Sequence, residues 1–297
     1  MTASSTRMAS WLRILPAVFV LIWSTGFIVA RYGMPFAPPL KFLAVRYALS
    51  LLCFVVWVAL ARIAWPRRRA QWGHLAVTGI LMQAGYLAGV WAAVRAGMGS
   101  GLVALVVGLQ PVLTGIWLST QGRQITRRQW AGLLLGFAGL VLVVSHKFGQ
   151  GAEVSLLTMA CALLGLLSIT IGTLYQKRFV EACDVRSAST VQFAAALLVT
   201  LPFALLEPEA IQWNASSTGA MAWSVLVLSL GGSSLFYLLI QRGTATAVTS
   251  LLYLVPPCTA VMAWLLFAEP ISALTLAGTA VTALGVFLVV RERTISA

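Results

Sequence analysis

Ten side chains stand out from otherwise apolar text because they could hold a small solute. They are Trp23, Arg46, Gln83, Tyr86 and Trp91 in the first half, and Tyr175, Gln192, Ser234, Tyr237 and Tyr253 in the second. A guanidinium binds carboxylates, amides and hydroxyls bind polar substituents, and indole or phenol rings wall a pocket. These groups suit recognition rather than bond-making. An intramembrane protease or lipid phosphatase needs a nucleophile beside a base, or a cluster of charges. The segment GMGSG, Gly97 to Gly101, supplies a serine, but no histidine inside an apolar run accompanies it, and His74 and His146 sit at run edges. No catalytic residue, cofactor or metal is expected. Cys53, Cys161, Cys183 and Cys258 lack metal or redox spacing and read as small core residues.

The elements that must position these groups follow from composition. Of 297 residues, 60% are hydrophobic and 9% charged, with mean hydropathy +0.93; soluble domains carry about 25% charged residues. The chain is an integral membrane protein. Its +13 net charge lies between apolar runs rather than on a polar domain, which excludes a nucleic-acid module. Runs of membrane-spanning length place ten helices at Ile14–Ala30, Phe42–Ala61, Leu75–Val94, Leu102–Leu118, Trp130–Val144, Val154–Tyr175, Ala188–Leu206, Ala220–Ile240, Val248–Ala268 and Leu274–Val290. With a cytoplasmic N-terminus, fifteen Lys and Arg fall in inside segments and four, Arg31, Lys41, Arg95 and Lys147, in outside ones. The positive-inside rule then puts both termini in the cytoplasm. The basic start followed by an apolar run imitates a signal peptide, but an uncleaved first helix is the simpler reading.

The stretch from Gly97 to Val144 is written twice. Shifted by 146 residues, Gly97, Leu105, Pro111, Ile125, Ala131, Gly132, Gly139 and Leu142 to Val144 fall on identical residues from Gly243 to Val290 without a gap. Prolines and glycines among the identities carry backbone consequences that repeated leucines would not. The same shift carries each of the first five spans onto one of the last five. Five is odd, so the halves, 1–148 and 149–297, cross the bilayer in opposite senses as an inverted repeat, an arrangement that places substrate between halves near the midplane.

The sequences LIWSTGFIVARYG in the first span, FLAVRYALSLL in the second and PPCTAVMAWLLFAEPISALTLAGTAVTALGVFLVV across the last two resemble the drug/metabolite transporter superfamily, in particular ten-helix proteins built from two EamA-type units. The resemblance covers nearly the whole chain. It implies export of amino acids, other metabolites or drugs, with one branch exporting aromatic and other amino acids. The Gly-Glu that the family carries after the ninth span stands here as Ala268-Glu269, and its first-half match reads Gly122-Arg123.

All seven acidic residues, Glu153, Glu181, Asp184, Glu207, Glu209, Glu269 and Glu292, fall in loops or at helix ends. A proton-coupled exporter of cationic drugs needs an intramembrane carboxylate; the absence of one favours a neutral or zwitterionic substrate. Arg46 lies inside the second span, with Gln192 as its repeat counterpart, and two roles fit it: a carboxylate or gate contact, or a snorkelling structural arginine. In the third span Gln83, Tyr86 and Trp91 are expected to line a cavity, with helix packing as the other reading. The glycine-serine cluster of the eighth, Ser229 to Tyr237, either lines it too or packs helices closely. Trp23 is a pocket wall or core. Pro111, Pro256 and Pro257 mark hinges or fixed kinks, and the fifth and tenth spans pack outside the cavity against the fourth and ninth. The expected protein is a monomeric multi-pass exporter of amino acids or similar small metabolites in the bacterial inner membrane, working by alternating access, with a multidrug exporter of the same fold as the alternative. Its partners are the substrate and the bilayer.

Overall fold

The computed structural model describes residues 3–121, 126–147, 154–242, 251–269 and 272–291, and those residues form helices and connections without a strand. The helices are α1 (Ala3–Gly33), α2 (Pro39–Leu60), α3 (Arg69–Arg95), α4 (Ser100–Thr120), α5 (Arg127–Lys147), α6 (Leu156–Phe179), α7 (Val185–Leu206), α8 (Ala215–Gln241), α9 (Val255–Phe267) and α10 (Ala273–Arg291). Six of them, α2, α3, α4, α6, α7 and α8, are long and apolar enough to cross a membrane. Shorter apolar stretches lie in α1 (Ala17–Gly33), α5, α9 and α10. Apolar side chains cover the outside as well as the core: Leu60, Leu156, Leu198, Leu205 and Leu206 are all exposed. A helix apolar all round is what lipid requires on one face and helix packing on the other.

Equivalent helices of the two halves run antiparallel against each other. On α5 and α10, a Cβ built at Gly139 would lie 2.5 Å from the Gly278 oxygen, and one at Gly285 would lie 2.5 Å from the Gly132 oxygen. Gly132 and Gly278, like Gly139 and Gly285, are repeat counterparts, so one contact is the other with the halves exchanged. Backbones approach this closely only where no side chain intervenes, which accounts for these repeated glycines. The expected packing of these helices against the fourth and ninth spans needs correction: α5 and α10 pack mainly on each other, with only slight contact to α4 and to Leu252–Leu254 ahead of α9, because their glycine faces are complementary. On α2 and α7, Tyr47 meets its own counterpart Phe193, ring centroids 6.0 Å apart, while Arg186 at the start of α7 reaches Trp57 near the end of α2. Gly101 of α4 faces Ala260 of α9, and Gly108 faces Pro256.

Gly97 ends α3 at φ 103°, a left-handed value that glycine adopts without strain. The Met98 N–H donates to the Ala93 oxygen at 3.0 Å and the Gly97 N–H to the Val94 oxygen at 3.0 Å, closing the helix in the usual glycine-capped way. Its counterpart Gly243 lies outside the described residues, as do Arg123, Glu153, Glu292 and Arg293.

Ion pairs between loops respect the alternation of the chain. Arg31 pairs with Glu269 at 3.4 Å and Arg95 with Glu209 at 2.5 Å, while the Glu207 carboxylate accepts from the backbone N–H groups of Leu40 and Lys41 at 3.1 and 2.7 Å. All these residues belong to the segments that the charge count assigns to the outer side. Arg68 and Glu181, both assigned to the inner side, pair at 2.8 Å. Each outer carboxylate comes from the second half and each partner from the first, so the end of the bundle holding Arg31, Lys41 and Arg95 is clasped across the halves.

Candidate functional site

The two helices facing each other across the middle of the bundle, α3 and α8, share an irregularity. Residues Ile80–Gly85 of α3 and Ser224–Ser233 of α8 form π-helical turns, and a 146-residue shift carries the first inside the second. A π-turn widens the helix, leaves backbone groups misaligned and is common at functional sites. On α3 the displaced Gln83 carbonyl accepts from Tyr47 Oη at 2.8 Å. On α8 the turn coincides with Gly231-Gly232, where α1 comes close: a Cβ at Gly232 would lie 3.1 Å from Ile22.

Between these turns lies a cavity whose empty space, open solvent included, is about 420 Å³. Its polar lining is Arg46 from α2, Gln83 and Tyr86 from α3 and Ser233 from α8; Trp23 of α1 and Trp91 of α3 supply indole walls. Gly26, Phe27, Met82, Leu87, Val90 and Leu228 complete it. Trp23 stacks on Tyr86, interplanar angle 7° and centroids 6.1 Å apart, and is backed by Phe19 and Phe236 at 5.2 and 4.8 Å. Trp91 is held by Phe42 at 4.8 Å. The aromatic walls are therefore braced from behind, so the rings are positioned rather than free to collapse into the space.

Arg46 is 3% exposed. Its Nε donates to Ser229 Oγ at 3.1 Å and its guanidinium lies over the Trp91 ring, 5.9 Å from the centroid. Among the described residues no carboxylate lies within ion-pair distance of it, and the described acids all sit at helix ends. A cation inside a span costs roughly 3 kcal/mol by insertion measurements, and here the offset comes from one hydroxyl and an indole face. Gln83 Nε2 donates to Ser233 Oγ at 3.4 Å, joining α3 to α8 across the cavity floor.

The structure brings together five of the ten residues singled out in the sequence: Trp23, Arg46, Gln83, Tyr86 and Trp91. Gln192, the counterpart of Arg46, instead donates to Thr78 Oγ1 at 3.0 Å and to Gln176 Oε1 at 3.4 Å. Tyr237, the counterpart of Trp91, packs with Leu75, Ala188 and Val191, its Oη 3.1 Å from Cys183 Sγ. Tyr175 bonds His74 Nδ1 at 2.8 Å away from the cavity. Ser233 rather than Ser234 faces the cavity, and Ser234 Oγ is buried without a partner. The side chain of Tyr253 lies outside the described residues. Pro111 opens the second segment of α4 after a turn at Gly108, and Pro256-Pro257 open α9 after the 3₁₀ turn Leu252–Leu254, where a missing N–H costs least. Ser229 and Ser233 entered the sequence reading only as part of a small-residue cluster. They stand four residues apart, about one helical turn, and so share the face that meets Arg46 and Gln83.

The model of the EamA-like transporter family matches the chain twice, over residues 11–145 and 156–291. The chain belongs to the EamA-like transporter family. Among similar proteins of that kind, the uncharacterized transporter YvbV of Bacillus subtilis is 29% identical over 270 residues, covering 89% of this chain and 87% of its own. A probable amino-acid metabolite efflux pump of Salmonella typhimurium is 24% identical, covering 92% and 93%. The uncharacterized inner membrane transporter YedA of Escherichia coli is 24% identical, covering 84% and 81%. A crystal structure that is 17% identical superposes with TM-score 0.70 over 96% of this chain and 98% of that one, which shows a shared fold. Family membership makes the protein a multi-pass membrane transporter.

Proposed function

We propose that the protein exports amino acids, aromatic or otherwise neutral, or similar small metabolites across the bacterial inner membrane by alternating access between its halves, 1–148 and 149–297. The observation that carries this reading is the paired π-turns of α3 and α8, counterparts in an inverted repeat, which meet across a cavity with braced aromatic walls and a few polar groups. The efflux-pump name of the Salmonella relative agrees with this substrate class. Trp23, Arg46, Gln83, Tyr86 and Trp91 contact the solute; Gln192 and Tyr237 are their counterparts on the opposite side and take part when the halves rock. The prolines act as fixed kinks. The protein works as a monomer with both termini cytoplasmic, and the substrate moves down its own gradient.

Counterflow in proteoliposomes tests the substrate. Trapped unlabelled amino acid should drive uptake of the labelled one, and failure of every amino acid to compete removes the claim. Topology is tested by single cysteines at Arg69 and Lys147, which should react with an impermeant thiol reagent from opposite sides; labelling from one side only refutes the inverted arrangement.

A further inference from the structure

The donors of Arg46 are unevenly used. Among the described residues only Nε has a hydrogen-bond partner, Ser229 Oγ; the terminal nitrogens Nη1 and Nη2 have none there, and neither is sealed among the buried atoms left without a partner. They face the cavity that Arg46 lines. A guanidinium is always charged, and its parallel N–H groups match the two oxygens of a carboxylate. The indole of Trp91 beneath it holds the plane of the fork. The rest of the lining carries no acid. A substrate ammonium would find only the Gln83 carbonyl, hydroxyls and ring faces, under the field of an uncompensated cation. Resting on the cavity's role as the substrate site, we infer that this site recognises the carboxylate of its substrate through Nη1 and Nη2 of Arg46, and that the α-ammonium is dispensable. The substrate class is therefore organic carboxylates with an apolar or aromatic tail, amino acids being one subset. Amines lacking a carboxylate are excluded by charge, since bringing a second cation beside an unpaired buried one is opposed by both repulsion and desolvation.

Purified protein in lipid nanodiscs, titrated calorimetrically with phenylalanine, 3-phenylpropanoate and 2-phenylethylamine, separates the possibilities. The acid and the amino acid should bind within about tenfold of each other and the amine at least tenfold more weakly. Arg46→Gln should weaken acid and amino acid at least tenfold and erase the preference over the amine, while Arg46→Lys keeps the preference with reduced affinity. A purely structural arginine would lower the melting temperature in Arg46→Gln without changing the acid-to-amine ratio. If Arg46→Gln does not fold, the wild-type preference decides. Binding of the amine as tight as that of the acid, absence of acid binding, or Arg46→Gln binding the acid within twofold of wild type overturns the inference. Binding of the acid without phenylalanine would instead leave it standing and remove the amino-acid reading.

Discussion

Gly26 of α1 faces Leu228 of α8, and its counterpart Gly172 of α6 faces Met82 of α3, the counterpart of Leu228. The two joints share a backbone plan. At the first, an added Cβ would rest 3.7 Å from the leucine, an ordinary contact beside the open cavity; at the second it would overlap Met82 Cγ. The same contrast runs through the polar groups. Arg46 turns free donors to the cavity, whereas Gln192 is tied to Thr78 and Gln176. Trp91 lines space and Tyr237 is packed in it. One joint between the halves lines a cavity with the free donors of Arg46, and at its counterpart Gln192 and Tyr237 are bonded to neighbouring side chains. An inverted repeat whose two joints can exchange these states has the elements of alternating access, and the comparison can be broken at each level.

The largest effect is expected at the closed joint. Gly172→Ala should destabilise the protein by about 1–3 kcal/mol, the usual cost of overpacking, while Gly26→Ala should leave the melting temperature nearly unchanged; thermal unfolding in detergent compares them, and equal losses would mean the joints are not in different states. Next is transport. Trp91→Ala should slow counterflow at least tenfold, about 1.4 kcal/mol, and Tyr237→Phe, which removes the hydroxyl that meets Cys183, should slow it less than threefold. Retained exchange in Trp91→Ala, Gln83→Ala and Tyr86→Ala together would remove the cavity as the substrate site.

Helix starts extend the comparison. Asp184 caps α7 from within, accepting from the Arg186 N–H at 2.9 Å, whereas its counterpart at the start of α2 is Pro38, which has no capping side chain. There the cap is Glu207, supplied by the other half. Glu207→Ala should therefore cost about 1 kcal/mol and also loosen the outer clasp, seen as faster hydrogen exchange at the start of α2; Asp184→Ala should cost a similar amount without changing exchange in the first half. The smallest effect is a pH dependence. Hydrogen bonds from the Arg186 side chain hold the Asp184 carboxyl below its ordinary value, so its contribution to stability is present above the unfolded value, near pH 4, and fades as pH falls through the lowered one. The difference in melting temperature between wild type and Asp184→Asn should shrink between pH 5 and pH 3; a constant difference would show that the ion pair contributes nothing.

How much of this was legible in sequence can be traced through particular residues. Arg46 stood out because a cation in apolar text is costly, and Gln83, Tyr86 and Trp91 because polar groups on one span need partners. Their counterparts Gln192 and Tyr237 carried the same signal, and composition alone could not show that one set faces a cavity while the other closes on itself. The pairing of α5 with α10 was also hidden, since glycines mark a close contact without naming the partner. Ser233 and Ser234 could not be ranked, because adjacent residues of one type carry the same signal and only the packing of α8 against α3 shows which faces the cavity.

Sequence by itself determined the membrane, the helices and the inverted duplication, because hydropathy, charge and glycine spacing are properties of the chain read locally or against its own copy. Tertiary structure alone decided which copy is open. Two nearly equivalent joints can be open or closed with similar local chemistry, and the choice rests on how Leu228, Met82 and the rings behind Trp23 fill space across helices far apart in the chain.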